Sequence, residues 1–472
     1  MIGRQERWQE DLFVAGPLRD LIPDDHILKR VDKVLDLSWL RDEVRGHYDE
    51  HQGRPSIDPA AAVRLMLAGL FQGITQDRKL MREAQVNLAI RWFAGYRLTD
   101  PLPDHSSLTN IRKRWGAEQF ARIFKRSVSA CAAAGLVNGE TIHIDATLIR
   151  ADVSWESLTE RHVEQVLSEN STEASGPKGE APSERSRTKS PKKYSPTDPD
   201  ATLTTSCKQY RLEPSYKQHT AVDDRAGVIV DVQVTTGEAS EGQQLPQQIE
   251  RVEAQTGITI RSATADGAYA HSANFALLET RGTQAIIPPQ PEASRAGRVP
   301  ARRFRYDARH DLVRCPAGRK LIRGSAVPNG HMYRARSADC RRCPLRSACV
   351  PASASSRHIL IVNDYGPLLR ARRRRQRWGE EEQSLYRRHR WRVEGIHGEA
   401  KTQHGLRRAA RRGLGNVAIQ AYLTAAVMNL KRLAALRAAP SRYTRVLTSR
   451  RTPRPFLMSF CVSGKVSTAR AA

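Results

Sequence analysis

The chain has 472 residues, too many for one ordinary core, so roughly two to four domains are expected. Its 77 lysines and arginines outnumber its 50 aspartates and glutamates by 27, and the pI is near 10.3. The excess runs along much of the length, with clusters at 370–377 and 432–470; it predicts a polyanionic partner, nucleic acid first. The longest apolar runs, 61–71 and 418–430, are broken by polar residues and too short to span a bilayer, so no membrane partner is expected. The opening residues lack the apolar stretch of a signal peptide, and seven cysteines do not make a secreted disulfide framework; a cytoplasmic protein is expected.

Residues 1–135 read as helical. Ile27, Leu28, Val31, Val34 and Leu35 form one stripe, and Asp58-Pro59 reads as a cap followed by proline at the first helical position, leading into a helix over 60–73. The turn at 99–107 stops one helix and caps the next, expected over 108–133. That helix carries Arg112, Lys113 and Arg114, basic residues placed for contact with DNA.

The character changes after Gly139. Glu140-Thr-Ile-His-Ile-Asp145 has the β-branched run of a strand ending in an aspartate. Residues 174–200, rich in Ser, Pro, Lys and Glu, read as the heart of a flexible insertion spanning 153–214 that builds no core. Order returns near Ser215, with two strands over 219–234 joined at 224–227 and a helix over 245–255 with Pro246 in its first turn. A strand over 258–265 ends in a second aspartate, Asp266, and a short helix from Ser272 and a strand at 284–288 follow. This order predicts a mixed α/β sheet with carboxylates where two strands end. Converging carboxylates hold magnesium through hard oxygen ligands, and two such ions clamp the attacking and leaving oxygens of a phosphodiester. Asp152, Asp198, Asp200, Asp223, Asp224 and Asp231 fall in loops or the hairpin, where solvation or turn capping is expected.

Near the C-terminal end, 380–401 reads as a helix opening on Glu380, Glu381 and Glu382, with Gly395 and Gly398 as its weak points. Arg390, Glu394 and Lys401 stand at i, i+4 and i+11, a lone carboxylate bracketed by two cations. Alone, such a face is a solvated run of helix ion pairs. Upstream, Cys315, Cys340, Cys343 and Cys349 contain one CxxC knuckle, and two readings stay open: a tetrahedral zinc site, or buried thiols. Cys131, Cys207 and Cys461 read as structural or incidental.

At this point the sequence resembles the bacterial insertion-sequence transposases of the DDE type, over about 21–433. The N-terminal likeness lies in Asp24-Asp-His-Ile-Leu, Gly53-Arg-Pro-Ser-Ile-Asp-Pro59, Arg91-Trp-Phe and Pro103-Asp-His-Ser-Ser-Leu. His143-Ile-Asp145-Ala-Thr is similar to the first catalytic aspartate motif, Ala265-Asp266-Gly-Ala-Tyr269 to the second, and Arg390-x3-Glu394-x6-Lys401 to the signature around the catalytic glutamate. The chain departs from that signature in two places: the tyrosine usual three residues before the arginine is Arg387, with Tyr386 one step earlier, and the aromatic usual three residues after the glutamate is His397.

The resemblance implies a multidomain chain: an all-α N-terminal domain (1–135), then an α/β ribonuclease-H-like catalytic domain in two parts (136–288 and 365–437) with insertions. The cysteine-bearing module (289–364) lies between those parts, and the basic tail (438–472) is expected to be disordered without DNA. It implies that Asp145, Asp266 and Glu394 hold two Mg2+ (or Mn2+) ions, with Glu399 the rival acid on the same helix, and that Arg390 and Lys401 approach the DNA backbone. The activity implied is cleavage and strand transfer at the terminal inverted repeats of a mobile element, on double-stranded DNA, by a homodimer. A metal-dependent nuclease without strand transfer and a non-catalytic DNA-binding protein are the alternatives.

Overall fold

The computed structural model describes residues 16–49, 56–154, 158–161, 192–205, 212–291 and 298–438. Most of the expected insertion, with Cys207, lies outside the described residues, as do the tail after 438 and Cys461.

The N-terminal region is helical: α1 (Ile27–Asp32), α2 (Leu40–Val44), α3 (Pro59–Phe71), α4 (Asp77–Val86), α5 (Leu88–Ala94) and α6 (His105–Ala133). Asp58 accepts from Ala61 N at 3.0 Å with Pro59 behind it, the cap its sequence predicts. Asp104 caps α6 through Ser106 N at 2.8 Å, so this helix starts three residues before the expected Leu108. It is also not continuous, because Gly116 sits at φ 68°, ψ 175° and kinks it.

The α/β half begins with β1 (Thr141–Arg150). The strands that follow are β2 (Thr159–Arg161), β3 (Lys192–Tyr194), β4 (Thr202–Thr204), β5 (Glu213–Asp223) and β6 (Ile229–Thr236). Then come α7 (Glu241–Thr256), β7 (Ser262–Ala265), α8 (Ser272–Thr280) and β8 (Gln284–Ile286). The main sheet is mixed. β5 pairs antiparallel with β1 on one side and with β4 and β6 on the other, while β7 and then β8 extend the sheet parallel to β1. α7 starts earlier than expected and holds Pro246 as its sixth residue rather than in its first turn.

The end of the expected insertion is not solvated filler. Asp198 is buried, takes the Tyr216 hydroxyl and accepts from Gly413 N at 3.1 Å, while Asp200 accepts from Leu414 N at 2.9 Å. These two acids, expected to be solvated, anchor the start of the last helix, and β4 completes one edge of the sheet.

The cysteine-bearing region forms its own antiparallel sheet, β9 (Arg305–Asp307), β10 (Leu312–Arg314), β11 (Lys320–Val327), β12 (Gly330–Ala335) and β13 (His358–Val362), around Phe304, Val313, Leu321 and Tyr333. Two short helices, α9 (Ser337–Arg341) and α10 (Arg346–Cys349), lie between β12 and β13. The chain then returns as α11 (Tyr365–Gln376), α12 (Glu380–His389), a π-helical turn (Arg390–Glu394) and α13 (Gly395–Gln403). The last helix, α14 (Leu414–Ala438), joins the halves. Ile419, Leu423, Val427 and Leu430 pack into the N-terminal core, and Val417, Ala421, Ala425 and Met428 into the sheet core. A helix apolar on all sides belongs inside a molecule, and this one is the shared wall of two cores.

Candidate active site

The parallel register Ile144↔Ala265 between β1 and β7 brings the two aspartates together, because Asp145 is the next residue of β1 and Asp266 the residue just after the end of β7. β7 ends at Ala265, whereas β1 runs on to Arg150, so Asp145 lies mid-strand and not at a strand end as expected. What opens beside it is the end of its neighbour. Alternation places His143 and Asp145 on one face of β1 and Thr264 with Asp266 on the same face of β7. α12, the π turn and α13 pass over that face.

Asp145 and Asp266 line one cleft of about 790 Å³ with a third acid, Glu241, and the cations Lys217, Lys401, Arg150 and Arg407. Burial, and after it the charges of Asp266, Glu241 and Glu394, push the Asp145 carboxyl up to about 7 against the hydrogen bond from Ala146 N. Asp266 is fixed by accepting from Ala268 N at 2.8 Å, capping the turn Gly267–Tyr269. Lys401 is half-buried, with burial drawing its ammonium below the usual lysine value and the Asp145 charge opposing that shift. Sequence reasoning missed Glu241 and Lys217, an ion pair at 3.1 Å; neither sits in a motif, and only the fold brings them to the cleft.

Glu394 is placed differently from the aspartates. Its side chain is 60% exposed and accepts from Arg390 Nε at 3.2 Å, so the expected pair forms, at the helix surface. The helix irregularity falls at Arg390–Glu394, where a π turn inserts the equivalent of one residue, and not at the glycines, since Gly395 has helical φ −60°, ψ −42°. The rival Glu399 points to α14, where it binds Lys431 and lies 3.5 Å from His404 Nε2; its carboxyl is drawn down to about 2, first by the His404 hydrogen bond. His397, where an aromatic was usual, is buried, with Nε2 3.1 Å from Thr220 Oγ1 and Nδ1 3.7 Å from Asp145 Oδ2. Tyr386, displaced from the usual position, stacks on His389 with ring centroids 6.2 Å apart.

Among the described residues, no group of three or more His, Cys, Asp or Glu side chains is already arranged to hold a metal ion. At the acids the reason is plain: Glu394 is turned to Arg390. At the cysteines, Cys315, Cys340, Cys343 and Cys349 are free thiols gathered by the small sheet. Burial raises the Cys349 thiol, with the other three adding to it, but the zinc reading gains no support and is set aside.

Arg112 is a correction. Expected at DNA, it is buried and forms a two-pronged ion pair with Asp77 at 2.7 and 2.9 Å, joined by Arg411 at 2.6 Å. Lys113 and Arg114 on the same helix are exposed, Arg114 over the Tyr48 ring. Among the described residues no helix is long and apolar enough to cross a membrane.

Two family models match the chain: a transposase domain (DUF772) over 16–114 and a transposase DDE domain over 314–434. They bear out the resemblance to DDE-type transposases, and the second match spans Glu394 and Lys401 but neither aspartate. Among solved structures, a piggyBac transposase synaptic complex with hairpin DNA aligns over 91% of this chain and 85% of that one, at 10% identity and TM-score 0.29. A Mos1 transposase paired-end complex with the left transposon end aligns over 52% of this chain and 65% of that one, at 10% identity and TM-score 0.16. At such TM-scores neither likeness carries weight. No curated protein matches.

Proposed function

We propose that the chain is a DDE transposase that cleaves double-stranded DNA at the ends of a mobile element and joins those ends to target DNA. Asp145, Asp266 and Glu394 are its three acids, held by a ribonuclease-H-like sheet. One observation carries the reading: the β1–β7 register sets Asp145 beside Asp266 on the sheet face that the Glu394 helix crosses. The strand order, with β1 between antiparallel β5 and parallel β7, supports the fold assignment.

The residues suit a divalent cation. Asp145 is a buried carboxylate whose affinity for a proton is raised first by burial and then by the carboxylates of Asp266, Glu241 and Glu394, and hard oxygen donors of this kind select Mg2+ or Mn2+. Bound ions would activate water and then a DNA 3′-hydroxyl toward the phosphorus. The chain's own part is to hold the donors and the DNA. Glu394 must exchange Arg390 for the cleft, which frees the Arg390 guanidinium for a phosphate, and Lys401 contributes a point charge beside Asp145. Lys113, Arg114 and the arginine-rich α11 would add sequence-independent phosphate contacts. Joining two ends calls for a homodimer on DNA.

The test is cleavage of labelled element-end DNA in magnesium by the intact protein and by Asp145→Asn, Asp266→Asn and Glu394→Gln. Each variant is expected to bind DNA and to cut none. Normal cutting by Glu394→Gln together with loss in Glu399→Gln would transfer the third role to Glu399. Cleavage without joined products would make the protein a nuclease.

A further inference from the structure

Beneath the acids runs a second polar system that shares only His143 with the quoted motifs. His389, the last residue of α12, has Nδ1 3.1 Å from Thr264 Oγ1 on β7. The same hydroxyl lies 2.6 Å from His143 Nδ1 on β1. His143 Nε2 lies 2.9 Å from Asp224 Oδ1 in the turn between β5 and β6. Arg388, next to His389, closes the ring by donating to both Asp224 oxygens at 3.1 and 2.9 Å. The circuit therefore leaves α12, crosses the two aspartate strands and the hairpin, and returns to the same helical turn.

We infer that this closed circuit of His389, Thr264, His143, Asp224 and Arg388 is a positioning clamp that fixes the rotation of the π turn, and with it Glu394, over Asp145 and Asp266. The inference rests on the transposase reading for its purpose but not for its geometry. Thr264 precedes Asp266 by two residues, His143 precedes Asp145 by two, and His389 precedes Glu394 by five. Each acid is thus coupled through a few backbone bonds to a member of one buried network.

The hydrogen bonds have a consistent direction. Asp224, whose carboxyl is kept below its usual range by His143 and Arg388 in spite of burial, can only accept, so His143 donates from Nε2. With Nε2 of His143 donating, its Nδ1 accepts from the Thr264 hydroxyl at 2.6 Å, which has Ile142 O at 3.3 Å as a second acceptor, and the Thr264 oxygen accepts Nδ1–H from His389. His389, Thr264 and His143 are all buried, so a broken link leaves a polar atom without water to replace it. A hydroxyl is the one small group that both accepts and donates here, which makes Thr264 the link to cut. The π turn beginning at Arg390 is the segment the clamp must hold, because its i→i+5 bonds leave it a weaker stretch between two α-helices.

The experiment compares Thr264→Val, which keeps the shape and removes the hydroxyl, with Thr264→Ser, which restores the hydroxyl. Two readouts are taken on the full chain: amide hydrogen exchange over 386–398 without metal or DNA, and the Mg2+ concentration for half-maximal cleavage. Thr264→Val should exchange faster in that segment and need about tenfold more Mg2+, the size of effect that follows loss of a group supporting metal ligands, while Thr264→Ser behaves as wild type. Unchanged exchange and Mg2+ dependence in a folded Thr264→Val would overturn the clamp. Faster exchange in Thr264→Val with a wild-type chain that cuts no DNA would keep the clamp and sink the transposase reading. If Thr264→Val does not fold, Asp224→Asn, altered in a turn, opens the same circuit and is judged by the same two readouts.

Discussion

A carboxylate that is buried, and set among other carboxylates besides, is a cost that folding alone does not require, and Asp145 shows its sign. Its carboxyl is raised from 3.8 to about 7, so between those values the folded chain holds a proton that the unfolded chain has released. Stability of the metal-free protein therefore falls as pH rises across that window and levels off above it. Asp145→Asn should be more stable than wild type near pH 8 by about 1–2 kcal/mol, well under the roughly 4 kcal/mol that three units would give, because the carboxylate keeps some contact with water. Near pH 4 the two should melt alike, and calorimetry at both pH values checks this; a destabilised Asp145→Asn at pH 8 would refute it. Asp77 has the opposite sign. Burial works against its charge, but Arg112 and Arg411 more than offset that and hold its carboxyl low, so the stability it contributes is present at neutral pH and lost only below the ordinary carboxylate range. Arg112→Ala removes the two-pronged partner of that buried charge and leaves it Arg411 and the Thr109 hydroxyl, so it should cost about 3 kcal/mol in urea unfolding, whereas Lys113→Ala should stay within about 0.5 kcal/mol and weaken DNA binding instead. Sequence could not separate these two neighbours, since burial of Arg112 depends on an acid 35 positions away.

At the scale of the element, much of the chain could be read in advance because the signals are local. The Asp58-Pro59 cap, the hairpin turn at Gly227 with φ 69° and the strand that stops just before Asp266 formed where residue type and spacing pointed, whereas β1 begins as expected but runs on past Asp145 to Arg150. The π turn at Arg390–Glu394 was not legible, and it is tertiary in origin: His389 is tied to the sheet from one side and Val393 and Ile396 are buried on it, so the helix takes up an extra residue between fixed points. Gly395 and Gly398, read as weak points, are ordinary helical residues with nothing within 4 Å of an added Cβ. Gly395→Ala and Gly398→Ala should each stabilise the protein by about 0.5–1 kcal/mol in urea unfolding, and a loss of stability in either would mean that the helix is not regular there. A variant that gains stability but loses DNA binding would place DNA against that face.

At the scale of the molecule, sequence suggested an N-terminal helical unit separate from the catalytic sheet, and the boundary near residue 135 does mark the change from helix to strand. What composition could not show is that both cores close on α14, almost 280 residues further on. Four large side chains of that helix, Ile419, Leu423, Val427 and Leu430, fill the N-terminal core. At about 1.5–3 kcal/mol each they contribute about 6–12 kcal/mol, as much as the whole net stability of a typical domain. Asn429 adds a polar tie: its side chain accepts from Ile229 N and donates to Ile229 O, both at 2.9 Å, so the hairpin strand β6 also depends on α14. A fragment of residues 1–135 should therefore show helical circular dichroism without a cooperative melt, and a chain ended at residue 413 should fail in both halves. Adding a peptide of residues 414–438 in trans should restore a single sharp transition. A cooperative melt of 1–135 alone would show that the N-terminal core closes without α14, and the DNA contacts of Lys113 and Arg114 would then have to be treated as those of an independent unit whose orientation to the acids is free.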